Sequence, residues 1–168
     1  MNRFAASRLA ALALGLAALP VSALDSDREQ PVDFGAEHFD GKIAATGETR
    51  LKGNFWLDQG TLKIRADLGT VYRENGAVVR VLLSGGPATV EQDLDSGGRM
   101  RAEAREIDYR IGTDQLELTG GVVVTQPEGQ LRGERLRYDI GSGQIEGTGD
   151  GSGGVRMRIE PKQPASGG

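Results

Sequence analysis

Ile107-Asp108-Tyr109-Arg110-Ile111-Gly112 recurs 29 residues later as Leu136-Arg137-Tyr138-Asp139-Ile140-Gly141. The match continues at Leu116 and Ile145 and ends at Gly120 and Gly149, where each copy is expected to turn. Within each copy apolar and polar residues alternate. Successive side chains of a strand point to opposite faces, so this alternation predicts β-strands with one dry and one wet face. A repeat at fixed spacing stacks like units, each burying its apolar face on its neighbour. The pair therefore predicts a repetitive all-β structure, a sandwich, barrel or roll, with a continuous apolar interior.

The same alternation extends outward in both directions. Val32, Phe34 and Ala36 share one parity, as do Leu51, Phe55 and Leu57, then Leu62, Ile64 and Ala66. Val79, Val81 and Leu83 follow, then Met100, Ala102 and Ala104, Leu116 and Leu118, and finally Val155, Met157 and Ile159. Asn75-Gly76 is the dipeptide favoured in tight hairpins. Ser84-Gly85-Gly86-Pro87, Ser96-Gly97-Gly98 and Gly141-Ser142-Gly143 are further expected breaks, and Gly149 to Gly154 reads as a flexible loop. Strands stacked in this way end in open edges that pair with other chains unless something caps them, so edge-to-edge association is expected.

Residues 1–23 carry Arg3 and Arg8, an apolar run from Leu9 to Leu19, and Val21-Ser22-Ala23. This is the pattern of a cleaved secretory signal peptide, too short for a good membrane span. The expected organisation is then one β domain over 24–160, with a disordered tail over 161–168 and a mobile polar leader over Asp25 to Gln30. Export implies the periplasm in a host with two membranes. The chain has no cysteine, so neither a disulfide nor a lipoprotein anchor is available. Without Arg3 and Arg8 the formal charge falls from −4 to about −6, which argues against nucleic acid as a partner.

Three stretches together carry a family resemblance. They are Gln30-Pro31-Val32-Asp33-Phe34, then Gly53-Asn54-Phe55-Trp56-Leu57-Asp58-Gln59-Gly60-Thr61-Leu62-Lys63-Ile64-Arg65-Ala66-Asp67, then Leu118-Thr119-Gly120-Gly121-Val122-Val123-Val124-Thr125-Gln126. The chain resembles the OstA-like family of lipopolysaccharide export proteins over roughly Gln30 to Ile159. The resemblance implies an open β-jelly roll of short antiparallel strands, with no catalysis, cofactor or metal. It implies a periplasmic bridge whose shared apolar groove carries the acyl chains of lipopolysaccharide from the inner to the outer membrane. It further implies end-to-end assembly through terminal strands, with LptC, with further copies of the chain and with LptD. The sequence departs from the family at Gly121, where Asn is common, and in its glycine-rich final segment.

The expected groove lining is Phe55, Leu57, Leu62, Ile64, Val81, Leu83, Met100, Ile107, Tyr109, Leu116, Leu118, Leu136, Tyr138 and Met157, all on the apolar parity of their strands. In an open roll the same residues are both core and groove. Val32, Phe34, Met157 and Ile159 are the expected docking edges. Arg101, Arg105, Arg110, Arg132, Arg135 and Arg137 are read as a solvated face interleaved with acids. His38 has no histidine or cysteine partner for a metal and is expected at a loop or strand edge. Trp56 has the outward parity. Two other readings compete. A polysaccharide hydrolase would need paired carboxylates such as Asp93 with Asp95 or Glu103 with Glu106. A structural periplasmic β protein would self-associate by its edges without a lipid.

Overall fold

A computed structural model describes residues 27, 29–42, 44–149 and 154–159. The signal-peptide reading and the tail lie outside these residues, as does most of the 149–154 loop. Ten strands run in chain order: β1 (Asp33–Gly35), β2 (His38–Gly41), β3 (Gly47–Gln59), β4 (Leu62–Glu74), β5 (Ala77–Asp93), β6 (Arg99–Arg110), β7 (Gln115–Gln126), β8 (Gly129–Asp139), β9 (Ile145–Thr148) and β10 (Arg156–Ile159). They form one antiparallel sheet in the order β1-β3-β4-β5-β6-β7-β8-β10, with β2 also on β3 and β9 also on β8. The expected all-β open roll is the architecture found.

A single sheet with no second layer packed on it can dry one face only by folding onto itself. The strand registers show where it folds. Five successive pairings slip in the same zone: between Lys52 and Phe55, Arg65 and Leu68, Ser84 and Ala88, Glu103 and Glu106, and Thr119 and Val122. β-Bulges bend strands and sharpen their twist, so slips in register with one another make a corner. Each of β3 to β8 thus contributes to two half-sheets, one on either side of that corner.

Left-handed backbone builds the corner on β3 and β7. Gly53 and Asn54 have φ of 79° and 48°, and Gly120 and Gly121 have φ of 90° and 64°. Asn tolerates this region better than other side chains and Gly enters it freely, so Asn54 and Gly121 fit the same kind of bend. The breaks expected at Ser84 to Pro87 and at Gly120 are therefore corrected. They are bends inside the unbroken strands β5 and β7. The glycines permit a bulge, and neighbouring strands on both sides keep the pairing going.

The repeat resolves into two hairpins, β6–β7 and β8–β9. Their turns place Asp114 (φ 52°) and Gly143 (φ 70°) in the left-handed region, again 29 residues apart. Asn75 and Gly76, both at positive φ, close the β4–β5 hairpin as expected. The leader expected to be mobile is tied down at Asp27, whose carboxylate accepts bonds from the Thr61 N–H and hydroxyl.

Gly69 on β4 leaves room for the fully buried Phe55 ring, which a Cβ there would approach to 2.5 Å. Gly69→Val should lower stability by about 1–3 kcal/mol, the usual cost of overpacking. Gly112→Ala, where a Cβ meets nothing within 4 Å, should be near neutral. Urea denaturation of both variants checks this.

Candidate functional site

Thirteen of the fourteen expected lining residues, all but Met157, are buried in one apolar cluster, and Phe55, Leu57, Ile64, Val81, Ile107, Leu116 and Leu136 have no exposed surface. The structure joins them into a continuous interior running across β3 to β8. Leu51, Ala66, Val71, Ala88, Val90, Ala102, Ala104, Val122, Val124 and Ile140 complete it. The middle of this interior is tightly packed. Among Val90, Met100, Leu116, Leu118, Leu136 and Tyr138 a void of about 10 Å³ remains, room for at most one water and not for a hydrocarbon chain.

The two ends differ from the middle. Met157, the fourteenth lining residue, is 69% exposed and Ile159 is 72% exposed on β10. Both pair on the same register as Leu131 and Gly129 and line a cavity of about 390 Å³ together with Val124, Leu131 and Ile145. At the opposite end Phe34 of β1 pairs with buried Leu57, and Phe39 of β2, 54% exposed, pairs with buried Leu51. Val32 and Phe34 pack partly buried against the core. Phe39 was missed in the sequence because β2 is only four residues long and shows no alternation to count.

Where the half-sheets meet on the side away from the corner, polar side chains interlock. The Tyr109 hydroxyl on β6 donates to Gln59 Oε1 on β3 at 2.7 Å. The Tyr138 hydroxyl on β8 donates to Gln92 Oε1 on β5 at 2.9 Å. Gln92 Nε2 in turn donates to Asp27 at 3.3 Å, and Gln59 Nε2 to the Gln30 carbonyl at 3.4 Å. These are strand pairs that are not neighbours in the sheet, so the bonds cross between its two halves. Gln59 and Gln92 were absent from the expected site. The signal was there: each is a polar residue on its strand's apolar parity, after Phe55 and Leu57 and after Ala88 and Val90.

Burial pushes the Tyr138 phenol up from 10.0 to about 12, with the nearby carboxylates of Asp139, Asp27 and Asp95 adding to the effect. Burial raises Tyr109 further, with Asp114 assisting. Both hydroxyls therefore keep their protons, and their role as donors, throughout the physiological range.

The outer face is charged and paired. Arg101 meets Glu91 and Glu103, Arg105 meets Glu134, Arg110 meets Asp108 and Glu117, and Arg135 also meets Glu117. Arg132 donates to Gln130. Arg137 lies opposite Glu117 and Glu146 in the ladder. This is the interleaved solvated face expected of these residues. Asp93 is hydrogen-bonded to Arg99, which holds its carboxyl below the usual range, the opposite of what a general acid needs. His38 lies exposed on the edge strand β2, and Trp56 covers Gly35 from outside. Among the described residues no cluster of metal-ligating side chains occurs, and no helix is long and apolar enough to cross a membrane.

Among the described residues the chain is a self-covered antiparallel roll with a dry interior, a charged exterior and short edge strands at its two ends. Residues 36–144 match the family described as LptA/(LptD N-terminal domain) LPS transport protein, and the chain belongs to that family. It is 26% identical over 164 residues to the lipopolysaccharide export system protein LptA of Escherichia coli K12, covering 96% of this chain and 88% of that one. It is 26% identical over 151 residues to the LptA of Haemophilus influenzae, covering 88% and 87%. The fold matches LptH, the LptA-homologous periplasmic component of lipopolysaccharide transport in Pseudomonas aeruginosa. That match has a TM-score of 0.72 at 22% identity and covers 81% of this chain and 99% of that one.

The raised tyrosines give a pH prediction. Below pH 10 the phenols are protonated in both folded and unfolded chains, and their contribution to stability is fully present. From pH 10 to about 12 the unfolded chain ionises first, so stability falls as pH rises. Melting temperatures from pH 8 to 12 should be flat and then drop, and Tyr109→Phe/Tyr138→Phe should flatten the drop.

Proposed function

We propose that the chain is a periplasmic bridge for lipopolysaccharide. It would be exported by a signal peptide cleaved after residue 23, and residues 24–160 would form its working domain. Lipid acyl chains would occupy the interior lined by Phe55, Leu57, Leu62, Ile64, Ile107, Leu116, Leu118, Leu136 and their neighbours, with the sugar-phosphate head in solvent. The roll would stack end to end with LptC, with further copies of itself and with LptD. The observation that carries this reading is the form of the two ends. β1 and β2 edge one end and β9 and β10 edge the other, and each pair spans both half-sheets. Stacked rolls would keep both half-sheets and the apolar interior continuous.

Charge supports one polarity for that stacking. β1 pairs with the half-sheet containing Trp56 to Asp58, and β10 with the half-sheet containing Gly129 to Arg132, on the same side of the corner. Stacking would lay β10 beside β1 of the next copy. Arg156 and Arg158 would then face Asp33 outside, while Met157 and Ile159 would meet Phe34 inside. Like ends would instead bring arginine to arginine or aspartate to aspartate.

A second reading has its own observation: the middle of the interior holds no hydrocarbon-sized space, as in a structural filament protein. Photo-crosslinking residues at Ile107, Met157 and Arg110, in cells making lipopolysaccharide, separates the two. Lipid adducts at Ile107 and Met157 with none at Arg110 are expected. No adduct at any site, in folded exported protein, would leave the structural reading standing.

Asp33→Arg should weaken self-association several-fold by light scattering, and Arg156→Asp/Arg158→Asp in the mixed partner should restore it. Phe34→Pro should remove the β1 ladder bond and weaken docking to LptC. Unchanged assembly in these variants would count against docking through β1.

A further inference from the structure

Granting that the interior carries lipid, its tightly packed middle must open to admit it. We infer that the seam formed by Tyr109–Gln59 and Tyr138–Gln92 is a lateral entry site for lipid acyl chains, closed by these two pairs and opened when lipid enters.

The geometry favours this side of the roll over the others. At the corner the half-sheets are joined by unbroken strands, so it can flex but not part. At the seam no strand runs from one half to the other, and two neutral side-chain hydrogen bonds cross from β6 to β3 and from β8 to β5. Such bonds are cheap to exchange, because water satisfies the same donors and acceptors once the lips separate. A seam of leucines would instead expose apolar surface on opening. Every buried side-chain polar atom among the described residues has a partner, so the closed seam leaves none stranded. The two bonds repeat along the roll. Tyr109 and Tyr138 are equivalent positions of the two hairpins, and Gln59 and Gln92 are the last residue of β3 and the last but one of β5. A row of latches in line with the interior would let an elongated chain enter sideways rather than thread from an end. Asp27, bonded to both Thr61 and Gln92, stiffens the glutamine-bearing lip.

The absence of native cysteine makes the test direct. Spin labels at Lys63→Cys and Gly112→Cys report the seam, and labels at Leu68→Cys and Arg105→Cys report the corner. Purified lipopolysaccharide is the ligand, with binding read independently by co-elution. The expected result is a longer seam distance on binding and an unchanged corner distance. Tyr109→Phe/Tyr138→Phe keeps the rings and removes both latches. With cooperative unfolding retained, it should show a wider seam without lipid and several-fold faster lipid uptake. Bound lipid with an unchanged seam distance, or unchanged uptake in a folded double variant, would overturn the lateral entry. A folded wild-type chain that binds no lipid would remove the carrier reading itself, and this inference with it.

Discussion

The structure depends on one constraint: a single sheet, with no helix packed over its apolar face among the described residues, must dry one of its own faces. The aligned bulges satisfy it. They turn strands of 11 to 17 residues into paired half-strands whose apolar sides meet across the interior. A flat sheet of these strands would expose the whole apolar parity to water. The left-handed pairs Gly53-Asn54 and Gly120-Gly121 therefore serve burial at every position on either side of them. The open ends follow from the same solution. Folding a sheet on itself hides its face but not its edges, and the edges are what a neighbour can use.

The charged exterior is the counterpart of that dry face. Glu117 lies between Arg110 and Arg135, and Asp108 between Arg80 and Arg110, so opposite charges meet both across neighbouring strands and along β6. Exposed pairs of this kind stabilise by only about 0–1 kcal/mol each. Their effect is on register. A slip of one residue would put these charges inside and the leucines outside, at a cost far above any single ion pair. Tyr72, beneath the Arg80 guanidinium at 5.6 Å, belongs to the same outer ladder.

Strand parity was legible because each apolar position in the repeat faces the same interior, so thirteen lining residues from Phe55 to Tyr138 read correctly as inward. The hairpin at Asn75-Gly76 was legible because its conformation is local. The corner was not. Gly120-Gly121 and Ser84 to Pro87 have the composition of turns, and only pairing on both flanks makes them bulges. The tyrosine latches were half legible. Tyr109 and Tyr138 carry the parity of the core, but their glutamine partners lie 50 and 46 residues away, a distance that pattern reading cannot bridge. Asp27 was hidden for the same reason, since its polar neighbourhood suggests a free leader and its partners come from β4 and β5.

On the proposed function, a roll whose walls pack on each other would set the energetics of its cargo. An acyl chain moving from water into the interior gains about 0.8 kcal/mol per methylene. The roll must first give up the contacts its own leucines and isoleucines make with each other, which are of the same kind and size per unit area. The net affinity is then the difference between two similar terms rather than the full burial of a lipid. That difference suits a bridge. A wall that gained everything by binding would hold its lipid, whereas a wall that recovers its own packing on release can pass lipid to an equivalent interior beside it. On that reading closure would protect the fold when empty and favour release when full. The direction of movement must come from whatever loads the first roll in the series.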